Sequence, residues 1–132
     1  MVKVGIFAAL LIAQSPIVMA QACPDSAPTI ESATVANVQD NGSLKTYIVE
    51  GTVVNPSDQS EAGNVLQSVD VLQDGQKVNE IGIPPLAAGQ SYEFHQTVVR
   101  SAEAGNKTTR LTFQLRVHSP QSCAANVYHL QV

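Results

Sequence analysis

From Tyr47 to Val99 the chain reads YIVEGTVVNPSDQSEAGNVLQSVDVLQDGQKVNEIGIPPLAAGQSYEFHQTVV. Side chains alternate across an extended strand, so Tyr47, Val49, Gly51 and Val53 share one face. Asn55-Pro56-Ser57-Asp58 ends that strand, because proline has no amide hydrogen to give a central ladder. Val65–Gln73 reads as the next strand, with Val65, Val69 and Val71 inward. Asp74-Gly75 between two such runs is a hairpin signal. Lys77–Ile83 follows, Pro84-Pro85 stops it, and Leu86-Ala87-Ala88-Gly89 makes a corner. Ser91–Val99 then returns with Tyr92, Phe94, Gln96 and Val98 on one face.

The flanking sequence follows the same period of two. Upstream, Thr29–Val38 leads through Asp40-Asn41-Gly42-Ser43 into Leu44–Val54. Downstream, Leu111, Phe113, Leu115 and Val117 alternate with Thr112, Gln114, Arg116 and His118, which makes Thr109–Val117 a half-buried strand. Asn126–Val132 is the last, with Tyr128, Leu130 and Val132 inward. No window after residue 22 keeps a helical period, and Ser101–Gly105 reads as loop. About seven short strands separated by turn residues predict an all-β chain, an immunoglobulin-like antiparallel β-sandwich. The antibody hallmarks are missing: there is no tryptophan, and no cysteine pair links the second strand to the sixth.

Residues 1–20 read as a secretory signal peptide. Lys3 supplies the positive start, Val4–Ala13 the short apolar run, and Val18-Met19-Ala20 the small residues of a cleavage site. The apolar run is short for a bilayer span. A second site, Ala20-Gln21-Ala22, allows cleavage after residue 22, and an uncleaved anchor is the competing reading. Cleavage after residue 20 leaves 112 residues, enough for a single domain over residues 21–132. Six basic residues then face 11 acidic ones, a net charge of −5. The basic residues are scattered, which argues against nucleic acid and against anionic membranes.

The two cysteines, Cys23 and Cys123, read as one disulfide in an exported protein. The expected strand directions bring the N-terminus and loops 55–63, 84–89 and 118–125 to one end, which places both cysteines together. In the alternative reading, Cys23 is the lipidated first residue of a bacterial lipoprotein. The membrane would be a partner only in that case.

Thr52-Val53-Val54-Asn55, Gly63, Val69-Asp70-Val71, Asp74-Gly75 and Leu86–Ser91 together resemble the CARDB domain, the adhesion-related immunoglobulin-like module of bacterial surface and secreted proteins. Glu50–Asn55 with the same later step is similar to the FxLYD-type bacterial domain. Both resemblances imply the same sandwich. The chain departs from CARDB at Ser119–Asn126, where a cysteine stands in place of an acidic, Asn-rich ending. A cation site tied to that ending is therefore not expected.

Catalytic and metal chemistry finds little support in the spacing. His95, beside Glu93, and His118 and His129 form neither H-x-H nor H-E-x-x-H, and read as solvent-facing strand residues rather than metal ligands. Met1 and Met19 both lie in the signal, which removes a methionine copper site. Asp58 and Glu61 share a loop but fall well short of the roughly six to eight oxygens of a cation cage. Gly89-Gln90-Ser91 is not a nucleophile elbow, and no C-x-x-C suggests redox work. Asn41-Gly42-Ser43 and Asn106-Lys107-Thr108 match glycosylation sequons, which the bacterial character makes coincidental. No cofactor is implied. Ile48, Val54 and Val99 face outward and would form a docking patch if they line one sheet. The seventh strand would offer a pairing edge if open. The expected function is an exported, non-catalytic module that binds a protein or glycan of the bacterial envelope. The expected contacts lie in loop 55–63 and the 84–89 corner, through Asn55, Asp58, Glu61 and Leu86. A tethered lipoprotein or assembly subunit is the alternative.

Overall fold

The computed structural model describes residues 21–24, 27–101 and 107–132. The expected signal peptide, the Ser101–Gly105 segment beyond Ser101, and Asn106 of the second sequon lie outside these residues. Alternating apolar side chains and turn residues build seven strands: β1 (Thr29–Asp40), β2 (Leu44–Val54), β3 (Leu66–Gln73), β4 (Gln76–Ile83), β5 (Ser91–Ser101), β6 (Arg110–Ser119) and β7 (Cys123–Gln131). No helix occurs among the described residues. The strands form two antiparallel sheets, ordered β1-β2-β5 and β4-β3-β6-β7. This is the expected immunoglobulin-like sandwich.

The turns obey their residues. Asp74 (φ 50°) and Gly75 (φ 88°) both take positive φ and close β3 onto β4 as a two-residue hairpin. Positive φ at both central residues suits the right-handed twist of the flanking strands. Asn41 Oδ1 accepts from the Ser43 and Leu44 amides and so shapes the β1–β2 turn.

The inward faces make one core. Val49, Val53, Val69, Val71, Leu111, Phe113 and Leu115 are all fully buried in it. The rings of Phe94 and Phe113 meet across the sheets at 5.5 Å between centroids, tilted by 53°. That is a favourable arrangement for two aromatic quadrupoles.

One expectation needs correction, and two conditional ones are resolved. β7 starts at Cys123 rather than residue 126, because Cys123 pairs with Val117 across a tight turn at Pro120–Ser122. The β7 edge is not open over its first half. Ala22 forms a parallel bridge with Ala124, and the Asn126 side chain binds both backbone groups of Ile30 at 2.8 and 2.9 Å. Ile48, Val54 and Val99 share the outer face of the three-stranded sheet but form no continuous patch. The pairs Glu50–His95 and Thr52–Glu93 interrupt them between Ile48 and Val54.

Candidate functional site at the disulfide end

Three separate segments converge at one end of the sandwich. The first is the N-terminal segment. The Cys23 amide donates to the Ala124 carbonyl at 3.0 Å, and the Ala124 amide donates to the Gln21 carbonyl at 2.7 Å. This backbone pairing brings Cys23 to Cys123, whose Cα atoms stand 5.0 Å apart in a disulfide spanning 100 residues. A Cα separation near 5–6 Å suits such a bridge. Disulfides persist in oxidising compartments.

The second segment is the β2–β3 loop, and Asn55 organises it. Its side chain has no exposed surface. Nδ2 donates towards the carbonyls of Gln59 (2.9 Å), Leu86 (3.2 Å) and Ala87 (3.2 Å), while Oδ1 accepts from the Ser57 amide at 3.0 Å. Its own backbone pairs with Gly89 and Gln90, both at 2.9 Å. A buried amide has value only when its donors and acceptors are matched, and here one side chain clamps the loop to the 84–89 corner. Glu61 repeats the tie. Its Oε1 accepts from the Leu86 amide at 2.9 Å and from Gln67 Nε2 at 2.7 Å.

The third segment is the β6–β7 hairpin, with a cis Ser119–Pro120 peptide. Between the three segments opens a cleft of about 250 Å³. Pro28, Val65, Val117 and Cys123 supply apolar lining, and Ser57, Gln59, Ser60 and Gln121 supply polar groups. Among the described lining residues Glu61 is the only titratable one, and its Oε1 already accepts two hydrogen bonds.

The four expected contact residues therefore separate. Asn55 and Leu86 are inside the protein, at 0% and 1% exposure, and position the loops rather than meet solvent. Glu61 is half-buried and lines the cleft; Asp58 is exposed and outside it. Loops 55–63 and 84–89 do lie together, at the disulfide end, as the expected strand directions require. Val117, Pro120 and Gln121 on the hairpin and Pro28 before β1 also line the cleft, and no motif marks them.

The chain matches no known protein family, and no curated protein is similar to it.

Two further clusters join residues distant in sequence. Ser68 Oγ lies 2.7 Å from His118 Nε2, and Glu80 Oε2 lies 3.8 Å from that same nitrogen. A hydrolytic triad needs serine and carboxylate on opposite imidazole nitrogens. Ser68 is also only 3% exposed. This group therefore lacks triad geometry. Glu80 is held below the usual carboxylate range, first by its hydrogen bond from Lys77 and then by the Lys77 charge. Lys77 is raised in turn, with the Glu80 hydrogen bond the largest cause. The second cluster is Glu50, Glu93 and His95, on the outer face of the other sheet. The spacing of His95 and Glu93 alone gives two solvent-facing residues. Glu50 joins them through the register of β2 against β5.

Proposed function

We propose that this protein is an exported, non-catalytic immunoglobulin-like binding module, of CARDB-like type, that takes a protein partner of the bacterial envelope in the cleft at the disulfide end. One observation carries the reading: three chain segments, cross-linked and clamped by buried hydrogen bonds, hold open a largely apolar cleft with no free titratable group among its described lining residues. A rigid scaffold presenting loops is how sandwich domains commonly bind. The volume of about 250 Å³ is below the roughly 300–1,000 Å³ of small-molecule sites. It suits one or two apolar side chains of a peptide segment, whose backbone would meet Gln59 and Gln121.

A protein is favoured over a glycan because no aromatic side chain is among the described lining residues to stack on a sugar ring. The bridge weighs against a lipid-tethered form, since acylation would consume the Cys23 sulfur that now pairs with Cys123. Photo-crosslinking residues introduced at Gln59 and Gln121, in cells that export the protein, test the reading. A discrete partner adduct from both positions, and none from Gln76 at the far hairpin, supports it. Adducts from Gln76 alone, or from all three positions equally, overturn it.

A further inference from the structure

The outer face of the three-stranded sheet holds a set of side chains that the cleft does not use. β2 and β5 pair without a register shift from Leu44–Ser101 to Val54–Ser91. That register sets Glu50 directly beside His95 and Thr52 beside Glu93. Residues 93 and 95 lie on the same face of β5, one strand repeat apart. His95 Nε2 stands 3.1 Å from Glu50 Oε2 and 4.0 Å from Glu93 Oε1, and all three donor atoms fit within 4.8 Å of one another.

We propose that Glu50, Glu93 and His95 form a binding site for one zinc ion. Zinc takes imidazole nitrogen and carboxylate oxygen at about 2.0–2.2 Å, so two donors on a tetrahedral ion sit roughly 3.4 Å apart. The observed separations bracket that value, and small rotations of the two glutamates complete the approach. The imidazole selects against calcium and magnesium, which prefer all-oxygen shells. Charge points the same way. Two carboxylates converge here, and among the described residues the basic side chain within 4.0 Å of each is His95 alone. A divalent ion neutralises both and releases any proton on Nε2.

The scaffold beneath is fixed. Gly51, next to Glu50, pairs with Phe94, which lies between Glu93 and His95, and the Phe94 ring packs against Gly51 on the inward side. All three ligands thus project from a stretch of sheet whose opposite face is locked in the core. Three protein ligands leave a fourth position to water. The site is open to solvent, so the affinity belongs in the micromolar range rather than that of a closed structural site.

Calorimetric titration of untagged, disulfide-bonded protein with zinc chloride tests the proposal. One zinc per chain is expected, with no binding of calcium. Glu50→Gln and Glu93→Gln weaken binding by roughly tenfold or more, and His95→Ala removes it. His129→Ala, on the other sheet, leaves it unchanged. These side chains are exposed, so thermal unfolding without zinc confirms that each variant folds. In histidine-ring NMR, zinc shifts the His95 resonances and not those of His118 or His129. Absence of zinc binding, binding that survives His95→Ala, or binding lost in His129→Ala overturns the assignment.

Discussion

The Phe94 ring occupies the space that a side chain at position 51 would need. A Cβ built on Gly51 collides with the tip of that ring, and the two residues are direct partners in the β2–β5 ladder. Gly51 interrupts a run of strand formers, where glycine ordinarily weakens a strand. Here it admits the aromatic ring that meets Phe113 at the centre of the sandwich. Gly51→Ala should cost about 1–3 kcal/mol through overpacking. In a Phe94→Leu background the same substitution should cost less, because the colliding ring tip is gone. Urea unfolding of the four proteins of this cycle gives the coupling directly; equal costs in both backgrounds would remove the explanation.

Loss of the Cys23–Cys123 bridge should destabilise the fold by about 2–5 kcal/mol, in line with closing a loop of 100 residues. The paired variant Cys23→Ser with Cys123→Ser avoids a stray thiol. It should still show a cooperative transition, since the core lies between the sheets and not at the bridge. An unchanged denaturation midpoint would mean that the bridge does not constrain the unfolded chain.

Asn55→Ala removes the side-chain donor to the Gln59, Leu86 and Ala87 carbonyls and the acceptor of the Ser57 amide. The Leu86 and Ala87 carbonyls keep the Glu61 and Gln90 amides, while the Gln59 carbonyl and the Ser57 amide are released. Losing these bonds at a fully buried position should cost about 1–3 kcal/mol in total. The loss should appear as faster hydrogen exchange at Ser57 and at Gly89, whose amide donates to the Asn55 carbonyl. Leu111 and Phe113, deep in β6, should stay protected. Asp58→Ala, at an exposed position, should change stability little.

Acid should weaken the Lys77–Glu80 pair. Glu80 has a lowered pKa in the folded state, so its contribution is present above the ordinary carboxylate pKa and is lost as pH falls through the folded value. Lys77 has a raised pKa, so its share is present below the ordinary lysine value and is lost as pH rises through the folded one. Both groups are exposed, and salt should erase most of the effect. NMR titration of Glu80 in wild type and Lys77→Met checks the sign: the Glu80 midpoint should move up when the ammonium is gone.

On the proposed reading of an exported module, the mature chain should begin at Gln21. Cleavage after Ala20 keeps the Gln21 carbonyl that accepts from Ala124, whereas cleavage after Ala22 discards it together with the parallel bridge. Intact mass before and after reduction decides this. A start at Gln21 with both thiols blocked until reduction is expected. A diacylglycerol mass on Cys23 with a free Cys123 would replace the binding module with a lipid-tethered protein.

Strand number, strand faces and the disulfide end were legible in the sequence because they depend on local chemistry. Alternation at Leu111–Val117, the positive-φ pair Asp74-Gly75 and the proline stops each act within a few residues. The edges of the expected strands were less secure. β5 runs on to Ser101 and β7 begins at Cys123 because a pairing partner, and not local propensity, sets where a ladder ends. The buried role of Asn55 was hidden for the same kind of reason. An asparagine before proline reads as a turn residue, and its three carbonyl acceptors include two more than 30 residues away.

By itself the sequence determined an all-β sandwich and the segments that turn at each end, since alternation and turn chemistry are properties of neighbouring residues. It left two readings of Cys23, and the structure joins that residue to Cys123. Only the tertiary structure decided which side chains meet. Register brings Glu50 to His95 across 45 positions, and sheet packing closes Pro28, Val65 and Val117 around one cleft. A shift of one residue in either ladder would turn those side chains to the opposite face. Such contacts follow from how complete strands pair and pack, and no short stretch of chain encodes them alone.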